Sequence, residues 1–337
     1  MKAAVLRDLP SERLQVCDVP EPALPAGSVI VEVSACGICG TDLHIMGGTS
    51  YRPELPFVMG HEPVGTIIGV SPDVGHELIG RRIAAAIFVG CGRCLPCRAG
   101  DERLCVHGAR VTGVLGLWGG FAQRLVLGAD QIVDVPAGLP DVVAASLVDA
   151  GPTAHNAART VLAGDRPLSS SLVIAGAGPV GVVLAGLLMT GGMTPVLIEP
   201  NPLRREAAGE LGLPAVASLD QADTAIDVVI DCAGAAEAIV PLLNRVAVHG
   251  LYVSVGYAAV PELDLAVVAR RELTIRGIRS GTRTDLARVL QLAADGALRL
   301  PSCQVWSLDG INDALENLRA GRLAGKAVID MTAQHSA

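Results

Sequence analysis

The chain reads as an α/β protein of two domains, one built on a doubly wound parallel sheet and the other irregular and rich in β-strands. Three observations predict this. From about Gly151 short apolar strands alternate with helical stretches, a glycine-rich turn follows the first of those strands, and 337 residues exceed what one ordinary core accommodates. The first 148 residues instead show short apolar runs between Gly and Pro punctuation.

In that first stretch, strands are expected at Val29–Val33, Val64–Val70, Arg82–Ala86 and Phe121–Val126. The alternating part predicts strands Leu172–Ala175, Val196–Glu199, Val228–Asp231 and Leu251–Val255. Helices near Pro179–Met189, Leu203–Leu211 and Ala236–Leu243 fall between them, the order of a parallel sheet with crossover helices. After Gly281 come a helix (Thr284–Ala294), a strand around Cys303–Ser307, a helix (Ile311–Arg319) and a strand at Lys326–Asp330. These are too few to make a domain, so residues 282–337 are expected to rejoin residues 1–150, leaving residues 151–281 as the doubly wound domain.

Composition narrows the partners. Half the residues are hydrophobic and only 2% aromatic, so the cores are assembled from Val, Leu, Ala and Ile around abundant Gly. A formal charge of −8 provides no footprint for nucleic acid or an anionic membrane, which leaves small molecules. The charged N-terminal stretch lacks the apolar core of a signal peptide, and a cytoplasmic location is expected. No charge occurs from residue 167 to Ile198, but glycines and prolines divide this run into strand, turn, helix and strand, as in a buried βαβ unit rather than a membrane span.

Cys91, Cys94, Cys97 and Cys105 form a C-x2-C-x2-C-x7-C run within a lobe at residues 90–106. Four thiolates at this spacing converge tetrahedrally on one zinc, and a site saturated by sulfur has no vacancy, so that zinc is structural. Two disulfides within so short a segment would be cramped.

Strand Leu172–Ala175 runs into Gly176-Ala177-Gly178-Pro179-Val180-Gly181, a GxGxxG that opens a helix. Such glycines let the backbone approach a pyrophosphate, whose charge faces the free N–H groups of the helix start. Glu199, at the end of the next strand, is placed to accept hydrogen bonds from the adenosine ribose and to repel the extra phosphate of NADP, which favours NAD. Arg204 and Arg205, just beyond, are the alternative: a phosphate clamp or a solvated helix start.

Cys39 in GICGTDLH and His61-Glu62 in GHEPVG stand in Gly-flanked loops, as for a zinc site with an open position. Together with MKAAV at the start, the four-Cys lobe, the glycine turn and the strand ending VSVG, these motifs resemble the zinc-dependent medium-chain alcohol dehydrogenases, including the polyol and threonine dehydrogenases. The resemblance covers essentially the whole length and implies a GroES-like catalytic domain beside a Rossmann-type domain.

The resemblance further implies that Cys39 and His61 hold a catalytic zinc and that Glu62 is a neighbouring carboxylate able to exchange onto it. The third ligand falls on Asp149, four residues before Thr153, which would pack against the nicotinamide; a helix N-cap is the rival role for Asp149. Thr41 and His44 resemble the proton relay, against a helix cap and an exposed polar residue as bland alternatives. Asp42 resembles a carboxylate that orients a ligand. Val255, Gly256 and Lys326 resemble cofactor contacts, Lys326 one that reaches the pyrophosphate.

The implied reaction is reversible hydride transfer between an alcohol and NAD, with about two zinc ions per chain and a homodimer or homotetramer as the assembly. The competing classes are a zinc-free double-bond reductase of the same superfamily, a non-catalytic member, and a biosynthetic dehydrogenase acting on a larger intermediate.

Overall fold

The computed structural model describes residues 1–164, 167, 169–222, 225–259 and 263–333. Two compact units partition the chain: Met1–Asp149 with Thr282–Ala294 and the segment from Cys303 onward, and Ala150–Gly281 with Asp295–Ser302. The sequence expectation differs at residues 295–302, which join the second unit. Gly186 explains the closeness: a Cβ there would stand 3.1 Å from the Arg299 backbone nitrogen.

In the second unit, parallel strands run in the order Ala215–Val216, Val196–Ile198, Leu172–Ala175, Ile226–Asp231, Val246–Ser254 and Thr274–Gly277. The chain starts near the middle and winds outward both ways, the doubly wound arrangement that opens a crevice at the carboxyl ends of its central strands. Its strands are apolar on both faces because helices cover both. One side of the core joins Val173, Ile198, Val229, Leu243 and Tyr252. Helix Pro179–Thr190 is apolar all round and buried over most of its length, as a central crossover helix must be. The helix Ala150–Leu162 entered the sequence reading only through the rival N-cap role of Asp149: its opening Ala-Gly-Pro-Thr looks like a breaker, yet Pro152 lies in the first turn, where a missing N–H costs nothing.

The first unit is organised by the long strand Ser28–Ile38. Glu62–Val70 pairs with one edge of it, Lys326–Asp330 with the other, and Arg124–Gly128 with its first half, all antiparallel. Arg82–Ala85 and Ile132–Asp134 extend the sheet beyond Glu62–Val70, and Cys303–Trp306 extends it beyond Lys326–Asp330. The strand expected from Phe121 begins at Arg124. Phe121 itself is fully buried and fixed by other partners: its N–H donates to Met59 O at 3.0 Å and its carbonyl accepts from Ala4 N at 2.8 Å. Among the described residues no helix is long and apolar enough to cross a membrane.

Candidate metal centres and cofactor turn

Strand register gathers the donors at one end of the first unit's sheet. Gly37 lies opposite Glu62 and Ile38 opposite Ala327, so the residues just past these pairs, Cys39, His61 and Lys326, cluster together. Helix Asp141–Leu147 packs on the same strand and delivers Asp149.

Cys39 is the N-cap of helix Gly40–Met46, and its Sγ accepts the Thr41 N–H at 3.3 Å. The helix is held in place by Asp42, whose Oδ2 accepts the Cys39 N–H at 2.9 Å. The amide contact fixes where the sulfur points, into the cluster of donors. His61 Nε2 stands 3.2 Å from Cys39 Sγ, 3.8 Å from Glu62 Oε1 and 3.9 Å from Asp149 Oδ2. One ligand atom from each of Cys39, His61, Glu62 and Asp149 lies within 4.8 Å of all the others. Burial alone would lower the His61 pKa, but the facing Cys39 and Asp42 outweigh it and hold the imidazole well above its usual range. A cluster of one thiol, one imidazole and carboxylates that so strongly attracts positive charge fits a divalent zinc.

Lys326, expected to reach a pyrophosphate, has a partner that the sequence reading did not include: its side chain is 3% exposed, and Nζ donates to Glu62 Oε1 at 2.5 Å. Burial disfavours the ammonium, yet Glu62 above all, with Cys39 and Asp149, raises its pKa. Sequence reasoning missed this pair because 264 positions separate its members. Thr41 is half-buried, whereas His44, one turn on, is exposed with Nδ1 3.5 Å from Thr49 Oγ1.

The cysteine lobe brings Cys91, Cys94, Cys97 and Cys105 together with their sulfurs all within 4.8 Å. None of the nine cysteines is in a disulfide. Backbone amides are turned toward the sulfurs: Cys91 N–H donates to Cys105 Sγ at 3.4 Å, and amides of Arg93 and Cys94 pull the Cys91 thiol down to about 6. Burial pushes Cys97 up to about 12. A crowded set of thiols wrapped in N–H donors is the chemistry of a four-sulfur structural zinc, so the residues fit the metal.

In the second unit, the glycine turn is built for close approach. Gly176 has φ +97°, a conformation that favours glycine, and a Cβ on Gly181 would lie 2.0 Å from Gly176 O. Gly178 caps helix Pro179–Thr190 without a side-chain bond, and among the described residues beyond its chain neighbours nothing lies within 4 Å of where its Cβ would be. This is an uncapped helix start with room beside it, and it fits a pyrophosphate. Val180 sits in the first turn of that helix, half-buried.

Glu199 is buried and already bonded: Oε2 accepts Ala177 N–H and Oε1 accepts Asn201 N–H, both at 2.9 Å. It therefore braces the turn as well as standing where a ribose is expected. Arg205 donates to the carbonyls of Glu199 and Pro200 at 2.8 and 3.0 Å, which makes it a clasp for that bend. Arg204 lies on the same helix, Pro202–Glu210. Thr153 is buried in helix Ala150–Leu162. The amides of Val255 and Gly256 donate to the Asp231 carbonyl at 2.9 and 2.8 Å. Sequence reading also missed the Asp231 side chain, which is fully buried and accepts from Ala233 N, Gly234 N and Tyr252 Oη.

Comparison with known proteins agrees with this geometry. Residues 25–137 match the alcohol dehydrogenase GroES-like domain and residues 212–329 match a zinc-binding dehydrogenase domain. An alcohol dehydrogenase of Geobacillus stearothermophilus is 31% identical over 98% of this chain and 99% of its own. An L-threonine 3-dehydrogenase of Sinorhizobium medicae is 28% identical over 98% and 99%. The solved acetophenone reductase of Geotrichum candidum, a complex with NAD, superposes with TM-score 0.89 at 28% identity, covering 98% of this chain and 96% of that one. With motifs, fold and near-full-length similarity in agreement, the chain belongs to the zinc-dependent medium-chain alcohol dehydrogenase family and is an enzyme of that family.

Proposed function

We propose that this chain oxidises an alcohol to a ketone or aldehyde, reversibly, with NAD as hydride acceptor. The observation that carries the reading is the convergence of Cys39 Sγ, His61 Nε2 and the Asp149 carboxylate at the end of one sheet. When bound, zinc supplies Lewis acidity that makes a hydroxyl proton easier to lose, and NAD supplies the carbon that accepts hydride. Cys39, His61 and Asp149 hold the metal, and Asp42 orients His61 from behind. The half-buried Thr41 hydroxyl takes the departing proton and passes it toward His44, one helical turn on and exposed to solvent.

The glycine turn, with Val180 in the first helical turn, receives the pyrophosphate. Glu199 receives the adenosine ribose, and Thr153, Val255 and Gly256 border the nicotinamide half. Arg204 flanks the ribose site. Cys91, Cys94, Cys97 and Cys105 hold a second, structural zinc. The unit of residues 1–149, 282–294 and the segment from Cys303 is the catalytic domain and the unit of residues 150–281 and 295–302 the cofactor domain, working in the cytoplasm as a homodimer or homotetramer. Secondary alcohols, polyols and amino alcohols are the substrate classes to examine.

The test is a panel of these alcohols and their ketones followed by NADH absorbance, with and without a zinc chelator. Turnover that the chelator abolishes and added zinc restores is the expected result. Undiminished turnover in a protein shown to be free of zinc would rule the mechanism out.

A further inference from the structure

The donor cluster contains one ligand too many. Cys39, His61, Glu62 and Asp149 all lie within mutual reach, and a zinc gripped by all four would be saturated, whereas a catalytic zinc keeps a vacant position. Two features outside this set touch Glu62 and none of the other three donors directly. Lys326, from the far end of the chain, donates to Oε1, and both side chains are buried. Gly37, opposite Glu62 in register, leaves a notch: a Cβ there would sit 2.0 Å from Glu62 Oε2 and 3.0 Å from the Ala145 carbonyl.

Glu62 Oε2, lying in that notch, has no hydrogen-bond partner among the described residues. Lys326 is therefore the hydrogen-bonding partner that holds this buried carboxylate. Without it the charge would be left uncompensated, and the nearest cation to relieve it would be the metal beside His61, whose Nε2 is 3.8 Å from Oε1.

We infer that Lys326 and the Gly37 notch are positioning elements that hold Glu62 out of the zinc coordination sphere and so reserve one vertex for the alcohol oxygen. This rests on the alcohol dehydrogenase reading of the site. Lys326 neutralises Glu62 and draws Oε1 toward itself, and Gly37 supplies the volume the carboxylate occupies while drawn back.

The test uses the full chain without nucleotide, loaded with cobalt, and imidazole as a probe of the vacant vertex. The visible cobalt bands of the wild type are expected to shift on imidazole addition, while cobalt in the saturated four-cysteine lobe contributes an unresponsive background. In Lys326→Met the freed carboxylate competes as an intramolecular ligand at millimolar or higher effective concentration, so the apparent imidazole Kd rises about tenfold or more. Lys326→Arg retains the wild-type response. Gly37→Ala, which expels the carboxylate from the other side, moves the Kd in the same direction and carries the decision if the methionine variant does not fold. Glu62→Ala introduced into either background brings the response back.

Wild-type imidazole affinity and an unchanged cobalt spectrum in Lys326→Met, or in Gly37→Ala where that variant decides, overturn the inference and leave the reading of the site intact. A wild-type protein whose cobalt ignores imidazole overturns both.

Discussion

Asp42 Oδ1 lies 3.4 Å from His61 Nδ1, directly behind the imidazole whose other nitrogen faces Cys39 and Asp149. Both residues are almost completely buried. Neither Oδ1 nor Nδ1 has a hydrogen-bond partner among the described residues, so Asp42 acts on the ring through its charge, which favours a proton on Nδ1 and leaves Nε2 free to ligate. The same side chain accepts the Cys39 amide through Oδ2, so one carboxylate aligns two of the proposed ligands.

Asp42→Asn keeps an acceptor for the Cys39 amide and removes the charge behind His61. Zinc affinity at the catalytic site is expected to fall about 10–100-fold, with the circular dichroism of the fold unchanged. Competition against a chromophoric chelator measures this, and an unaltered affinity would show that Asp42 serves the helix cap alone.

The two metal sites should fail differently. Cys39→Ala removes a ligand from an open site on an intact sheet, so the fold persists and turnover is lost. Cys94→Ser dismantles a lobe held together by its metal, and because metal binding there is folding free energy, the Tm falls first, by about 5 °C or more. Each variant should retain about one zinc where the wild type has about two. Metal analysis together with melting curves separates them; a Cys39→Ala protein with wild-type turnover contradicts the assignment.

How much of this was legible follows from distance along the chain. The cysteine lobe and the glycine turn are local patterns whose spacing carries the chemistry, and Cys39 with His61 stood out through their motifs. Glu62–Lys326 was invisible because 264 positions separate its members, and Asp231–Tyr252, only 21 apart, because neither residue carries a motif and the pair meets only when two strands take up their register. The Gly37 notch was equally hidden, because a glycine in a strand declares no partner until the facing side chain is placed. Helix Ala150–Leu162 was obscured by a proline at a position where helices tolerate it.

Tyr252 offers a pH test away from any metal. Its hydroxyl donates to Asp231 Oδ2 at 2.9 Å, and burial, reinforced by the Asp231 charge, raises its pKa. A raised acid stays neutral in the folded chain while the unfolded chain ionises near 10, so its contribution is complete below that pH and declines as pH rises beyond it. Tyr252→Phe leaves Asp231 Oδ2 without this donor and is expected to cost about 1–3 kcal/mol at neutral pH. The deficit relative to wild type should shrink above pH 10. Urea titrations at pH 7 and above 10 check this, and a pH-independent difference would contradict the assigned cause.

Cofactor preference turns on Glu199. Its carboxylate is buried, bonds the Ala177 amide within the glycine turn, and ends the strand where a ribose is expected. A 2′-phosphate brought there would meet a like charge that has little solvent to screen it, so kcat/KM with NAD should exceed that with NADP by about tenfold or more. Glu199→Ala is expected to act on both sides of that ratio. NAD loses its ribose acceptor and a brace of the turn, which lowers its kcat/KM, while NADP is relieved of repulsion and loses less. The ratio should therefore fall toward unity through a higher KM for NAD, with kcat changed less because the carboxylate is remote from the hydride. Comparable efficiencies with the two cofactors in the wild type would show that this carboxylate serves the turn and leaves discrimination to other groups.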